Sequence, residues 1–131
     1  MCLRPIVPLT ILGINGSVQR MALIDSGADS VVLPTAVAPM MGIDLAKAYA
    51  GSVTTAGTTR VSVRYAKVLL ELDDGNLQYR WKTHVGFAPV QISLLGTIGG
   101  LEFFKASIDY SAQELTLLAQ SNLPTTVDST P

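Results

Sequence analysis

The 131-residue chain contains one cysteine, one histidine and 15% charged residues, where an ordinary soluble domain carries about 25% charge. Each scarcity removes a class of function. A lone Cys2 excludes an internal disulfide framework and a cysteine-rich zinc site. A lone His84 argues against histidine metal sites and a Ser-His-Asp triad, so carboxylates are left as the candidates for acid–base chemistry. No cofactor is implied. No apolar run reaches the ~18 residues of a spanning helix. No charged-then-apolar leader with a small-residue cleavage site stands at the N-terminus, and the expected location is therefore cytoplasmic. Nine Lys+Arg against ten Asp+Glu give a net charge of −1. The basic residues are scattered from Arg4 to Lys105 and form no phosphate-binding stripe, so nucleic acid is not an expected ligand.

What is present is apolar. Hydrophobic residues make up 48% of the chain and mean hydropathy is +0.39, which excludes disorder as the main state. The length suits one domain. With no membrane span, low charge implies a soluble domain that covers part of its apolar surface with a partner.

The chain is punctuated like a β-rich domain. Asn15-Gly16, between the runs Val7–Ile14 and Ser17–Asp25, predicts a two-residue hairpin loop. Val61, Val63 and Tyr65 alternate with Ser62, Arg64 and Ala66, the period-two pattern of a half-buried strand. Asp73-Asp74-Gly75-Asn76 turns that run into Leu77–Phe87, and a third hairpin joins Ala106–Tyr110 to Leu115–Leu118. Helix is scarce: Thr35–Met41 allows one short turn, limited by Pro39 and stopped by Gly42, and Gly99–Lys105 is a second candidate. The expected organisation is one domain over 1–121 and a Thr/Ser/Pro-rich tail over 122–131.

The segment that carries chemistry is Ala22-Leu23-Ile24-Asp25-Ser26-Gly27-Ala28-Asp29. An apolar strand runs into a carboxylate, a small hydroxyl and a glycine, which puts the carboxylate on a tight loop at a strand end. Gly27 lets another backbone approach, and Ser26 can bond locally. Alone, Asp-Ser-Gly is a common turn. Its context is a distant second strand, Val90-Gln91-Ile92-Ser93-Leu94-Leu95-Gly96, followed by the short helix candidate.

That order resembles the retropepsin family of aspartic proteases over roughly Pro5 to Leu118. Leu33-Pro34 fits the family's course after the loop, and Ile108-Asp109-Tyr110 with Leu115-Thr116-Leu117 looks like its closing hairpin. The resemblance implies an all-β fold, a small closed β-barrel-like acid protease domain with one short C-terminal helix. It implies Asp25 as the catalytic residue and Ser26 and Gly27 as supports of the active-site loop. Ala28, Asp29, Leu94 and Leu95 would bind substrate, together with Thr55, Ala56 and Gly57 at the tip of a flap. Two-lobed members of the wider class carry two Asp-Thr/Ser-Gly motifs, and this chain has one. The implied partner is therefore a second copy, giving a symmetric homodimer with one Asp25 from each subunit. The implied substrate is a peptide or protein. One departure stands out. The family often places an arginine after the apolar-apolar-Gly motif to pair with the residue at Asp29, and here Thr97 and Ile98 follow Gly96. Arg4 is a candidate substitute, and the departure bears on dimer bracing rather than on chemistry.

Gly51-Ser52-Val53-Thr54-Thr55-Ala56-Gly57-Thr58-Thr59 is small, β-prone and glycine-containing. It suits a hairpin over a cleft as well as an ordinary surface hairpin. Other conspicuous residues read as structural. Trp81 and Tyr79 share one strand face, as core residues or as a base-stacking platform, and packing is the better reading. Met40-Met41 reads as gap filling or a pocket wall. Val32, Val53, Ile92 and Leu94 are apolar pocket candidates. The leading function is an aspartic endopeptidase. Two alternatives stay open: a catalytically silent module of the same fold that dimerises or binds peptides, and a structural β-domain whose Asp-Ser-Gly is a plain turn.

Overall fold

Alternating apolar residues become strands wherever one face can be buried. The computed structural model describes residues 6–25, 27–54, 60–73, 78–109, 111–112 and 114–124. β1 (Ile6–Gly13) and β2 (Gly16–Ile24) pair antiparallel, with Leu9 and Ile11 fully buried. Their loop is Ile14-Asn15, one position earlier than the Asn15-Gly16 expected, because Gly13 and Gly16 form the closing pair. Gly16 takes the left-handed backbone, at φ 130°, as the first strand residue instead of the second loop residue. The Asn15 side-chain amide lies beside Gly42, 3.1 Å from where a Cβ there would sit.

β3 (Val32–Pro34) leads into α1 (Val37–Met40), a single helical turn that stops at Gly42 with φ 78°. A 3-10 turn, Leu45–Lys47, follows, capped by the Asp44 carboxylate accepting from the Ala46 amide at 2.9 Å. Then come β4 (Tyr49–Thr54), β5 (Arg60–Asp73), β6 (Gln78–Ala88) and β7 (Ser93–Leu95). The chain ends in β8 (Phe104–Asp109) and β9 (Glu114–Ala119), an antiparallel pair in its own sheet. All three expected hairpins are paired; residues 74–77 of the second and 110 and 113 of the third lie outside the described residues.

The strands run in the order β1-β2-β7-β3-β6-β5, and β5 returns to β1 through Ile11 opposite Leu70. Six strands thus close a barrel, and β4 hangs on β5 outside it. The fold is the all-β barrel expected, with one difference at the C-terminal side. The helix expected over Gly99–Lys105 is a single 3-10 turn, Leu101–Phe103, and Phe104 already belongs to β8. The reason is tertiary. Phe104 is buried with its ring edge-to-face against Trp81 at 5.2 Å and Tyr79 at 5.6 Å, and an extended backbone carries it there.

The core inside the barrel includes Leu9, Ile11, Leu33, Leu70, Trp81 and Phe87, all at most 1% exposed. Trp81 is therefore a core residue. Met41 is buried while its neighbour Met40 is 47% exposed. His84 lies on an exposed strand position. β5 is too long, at roughly 45 Å, to bury one face against one core. Ala66, Val68, Leu70 and Leu72 face the main core, and the opposite face uses Val63 and Tyr65 in a smaller cluster with Val32 and Ala88. Among the described residues, no helix is long and apolar enough to cross a membrane.

Candidate active site

The barrel order places β7 between β2 and β3. β7 is parallel to β2, with Ile24 opposite Leu95, and antiparallel to β3, with Val32 opposite Leu94. β2 ends at this junction, and the next residue is Asp25. Its amide donates to the Leu95 carbonyl at 3.2 Å, which extends the ladder by one bond and fixes the backbone under the carboxylate. The chain then turns sharply. The Asp25 carbonyl accepts from the Ala28 amide at 3.1 Å, and the Asp25 Oδ1 accepts from the Gly27 amide at 3.0 Å. A backbone N–H thus orients the carboxylate. A Cβ on Gly27 would come within 3.2 Å of that same oxygen, so glycine keeps the approach open. Asp25 is half-buried.

A second loop grips the first. The Thr97 amide donates to the Ala28 carbonyl at 3.0 Å and the Ile98 amide to the Asp29 carbonyl at 2.8 Å, and Ser30 and Ile98 form a parallel bridge. This closeness requires Gly96, where a Cβ would sit on the Ser30 carbonyl and 2.8 Å from the Ala28 carbonyl oxygen. The gripping loop is itself held from behind. The Gly96 carbonyl accepts from Leu101, Gly99 donates to Glu102 Oε2 at 2.6 Å, and the buried Trp81 indole donates to the Gly99 carbonyl at 2.8 Å. A chain of contacts therefore runs from the core through Gly99 and Gly96 to the loop that carries Asp25.

The other expected site residues distribute as follows. Gly27 and Ala28 lie in the Asp25 turn, and Asp29 is exposed beside it. Among the described residues no lysine or arginine forms an ion pair with Asp29. Leu94 is half-buried next to Val32, but Leu95 is fully buried in the main core. Successive strand residues point to opposite faces, so Leu95 reaches Asp25 through its carbonyl and Leu94 is the side chain left toward the open face. Ser26, Thr55, Ala56 and Gly57 lie outside the described residues. Two supports were not anticipated from sequence: the Trp81 bond to Gly99, and Gly100, which has no room for a side chain beside Leu95, Val31 and the Gly96 carbonyl. The pair of glycines at 99–100 was the available signal for both. Among the described residues no group of three or more His, Cys, Asp or Glu could hold a metal ion. An apolar groove of 320 Å³ between β1, β9 and the β5–β6 end is lined by Val7, Leu72, Tyr79 and Leu117, away from Asp25.

Residues 7–97 match the family model described as aspartyl protease. The chain belongs to the aspartyl protease family. The matched span holds both Asp25 and Gly96, the two ends of the loop grip. Among solved structures, the retropepsin-like aspartic protease from Rickettsia conorii is similar at 25% identity and a TM-score of 0.57, over 88% of this chain and 89% of that one. The retroviral protease-like domain of Ddi1 from Leishmania major has the same fold, at 18% identity and a TM-score of 0.57, over 98% of each chain. No curated protein matches the chain in sequence. Family and fold together make this a retropepsin-like aspartyl protease domain.

Proposed function

We propose that the chain is an aspartic endopeptidase that acts as a symmetric homodimer, with one Asp25 from each subunit. The observation that carries the reading is the Asp25 turn: a half-buried carboxylate at a strand end, oriented by the Gly27 amide and gripped from behind by the Gly96 loop. The similar Rickettsia conorii protein is named a retropepsin-like aspartic protease, which supports the same chemistry here.

One carboxylate is half of the required machinery. Two brought to ~3 Å across a two-fold axis cannot both ionise, so the pair holds one proton. The ionised member takes a proton from a water as that water attacks the peptide carbonyl. The protonated member donates a hydrogen bond to the carbonyl oxygen. The proton then passes to the leaving amine, and titration belongs to the pair. Ser26 braces the two loops across the axis. An extended substrate lies between the Asp25 loop and a flap formed by the β4–β5 hairpin, with Thr55, Ala56 and Gly57 at its tip, and adds as a strand through backbone bonds. Ala28, Asp29 and Leu94 line the cleft, and Leu94 favours apolar substrate side chains.

The test is a mixed peptide library incubated at pH ~4–7, where shared-proton carboxyl dyads act. Wild type cleaves and Asp25→Asn does not. A folded dimer that cleaves nothing at any of these pH values would favour the silent binding module.

A further inference from the structure

The β4 strand stands outside the closed barrel and, among the described residues, pairs only with β5. An arm of this kind needs an anchor beyond its ladder. Tyr65 on β5 lies opposite Tyr49 of β4 on one side and Gly86 of β6 on the other. Gly51 sits diagonally from it on β4. A Cβ on Gly51 would come 2.8 Å from Tyr65 Cε2, and a Cβ on Gly86 would come 2.6 Å from Val63 Cγ1 and 3.2 Å from Tyr65 Cε1. One aromatic ring therefore covers glycines on both neighbouring strands and joins three strands on one face. On the opposite face of β5, Arg64 Nη1 donates to the Ala48 carbonyl at 3.3 Å, a single exposed bond. The ring also reaches toward the site. Tyr65 packs in the small apolar cluster with Val32 and Leu94, and Leu94 lies on β7 beside the end of β2.

We propose that Tyr65 is a positioning residue that pins the β4 arm to the barrel wall beside Asp25 and so sets how tightly substrate is held. The part concerning substrate rests on the flap reading above. A glycine in a strand leaves a gap, and a cross-strand aromatic that fills it restores contact without blocking the backbone. Here one ring fills the gap at Gly51 and shares the gap at Gly86 with Val63. Truncating it would remove the ring that covers Gly51 of β4, and the arm would open without the barrel opening. Strands with few buried contacts exchange their amides through such local openings.

The experiment is amide hydrogen exchange on wild type, Tyr65→Phe and Tyr65→Ala, followed in segment 49–54 against segments 78–88 and 93–98. The expected result is exchange about tenfold faster or more in 49–54 for Tyr65→Ala, with the barrel segments unchanged and Tyr65→Phe like wild type. The KM for peptide rises several-fold in Tyr65→Ala, with kcat less affected. Gly51→Ala displaces the ring from the other side of the contact and gives the same pattern, which keeps the test available should Tyr65→Ala fail to fold. Faster exchange spread evenly over the barrel, or none in 49–54, overturns the proposal. If wild type cleaves no peptide, the endopeptidase reading fails by itself, and the exchange pattern still decides whether Tyr65 pins the arm.

Discussion

Gly96→Ala is the perturbation with the most direct consequence. The new methyl would occupy the position of the Ser30 carbonyl and lie 2.8 Å from the Ala28 carbonyl oxygen. Neither is a side chain that can swing away, so one of the two loops must retreat. Overpacking of this kind costs about 1–3 kcal/mol. Retreat also breaks the Thr97–Ala28 and Ile98–Asp29 backbone bonds, each contributing about 1 kcal/mol net. The expected loss is about 3–5 kcal/mol, a large share of a domain's usual stability of about 5–15 kcal/mol. Urea unfolding at matched protein concentration reads it directly, since a dimer's stability depends on concentration. Retreat of either loop loosens the seat of the one that carries Asp25, so peptidase activity should fall further than the folded fraction does. A Gly96→Ala protein within about 0.5 kcal/mol of wild type, the range of a neutral surface change, would refute the claim that the two loops are locked through this glycine.

Other substitutions test other links. Trp81→Phe removes the indole N–H that serves the Gly99 carbonyl and should cost about 1–3 kcal/mol for an orphaned buried acceptor, measured by denaturant midpoint. Leu70→Ala empties a fully buried core position and should cost about 2–5 kcal/mol in the same assay. The Asp109 carboxyl accepts from the Ser111 hydroxyl and from the Ala112 and Ser111 amides, which lowers its pKa below 3.8. A depressed carboxylate adds stability above its unfolded pKa and loses it as pH falls through the folded value. NMR titration should place Asp109 below an ordinary aspartate, and Ser111→Ala should move it back up.

Much of the barrel was legible because its cues are local. Asn15-Gly16 and the Asp/Gly-rich segment after Asp73 mark hairpins, and Val61-Val63-Tyr65 shows the strand period. The Asp25 loop was legible as a motif, because a carboxylate, a small hydroxyl and a glycine at a strand end are chemistry written in consecutive residues. What escaped depends on distant pairing. Leu101–Phe103 looked like part of a longer helix until Phe104 found Trp81 and Tyr79 on β6. Leu95 looked like a cleft residue until its strand direction turned it into the core. The Tyr65 ring over Gly51 and Gly86 requires two strand registers that no local pattern specifies.

The central claim is that each subunit supplies half of one catalytic pair. Subunit mixing tests it most directly. Wild-type protein is held at fixed concentration, increasing Asp25→Asn protein is added under exchange, and peptide cleavage is followed. If the site is built from one Asp25 of each subunit, mixed dimers carry one carboxylate and are inactive, so activity falls steadily as the variant draws wild-type subunits into them. Cleavage that stays constant as the variant is added would contradict a shared site, and the account with it.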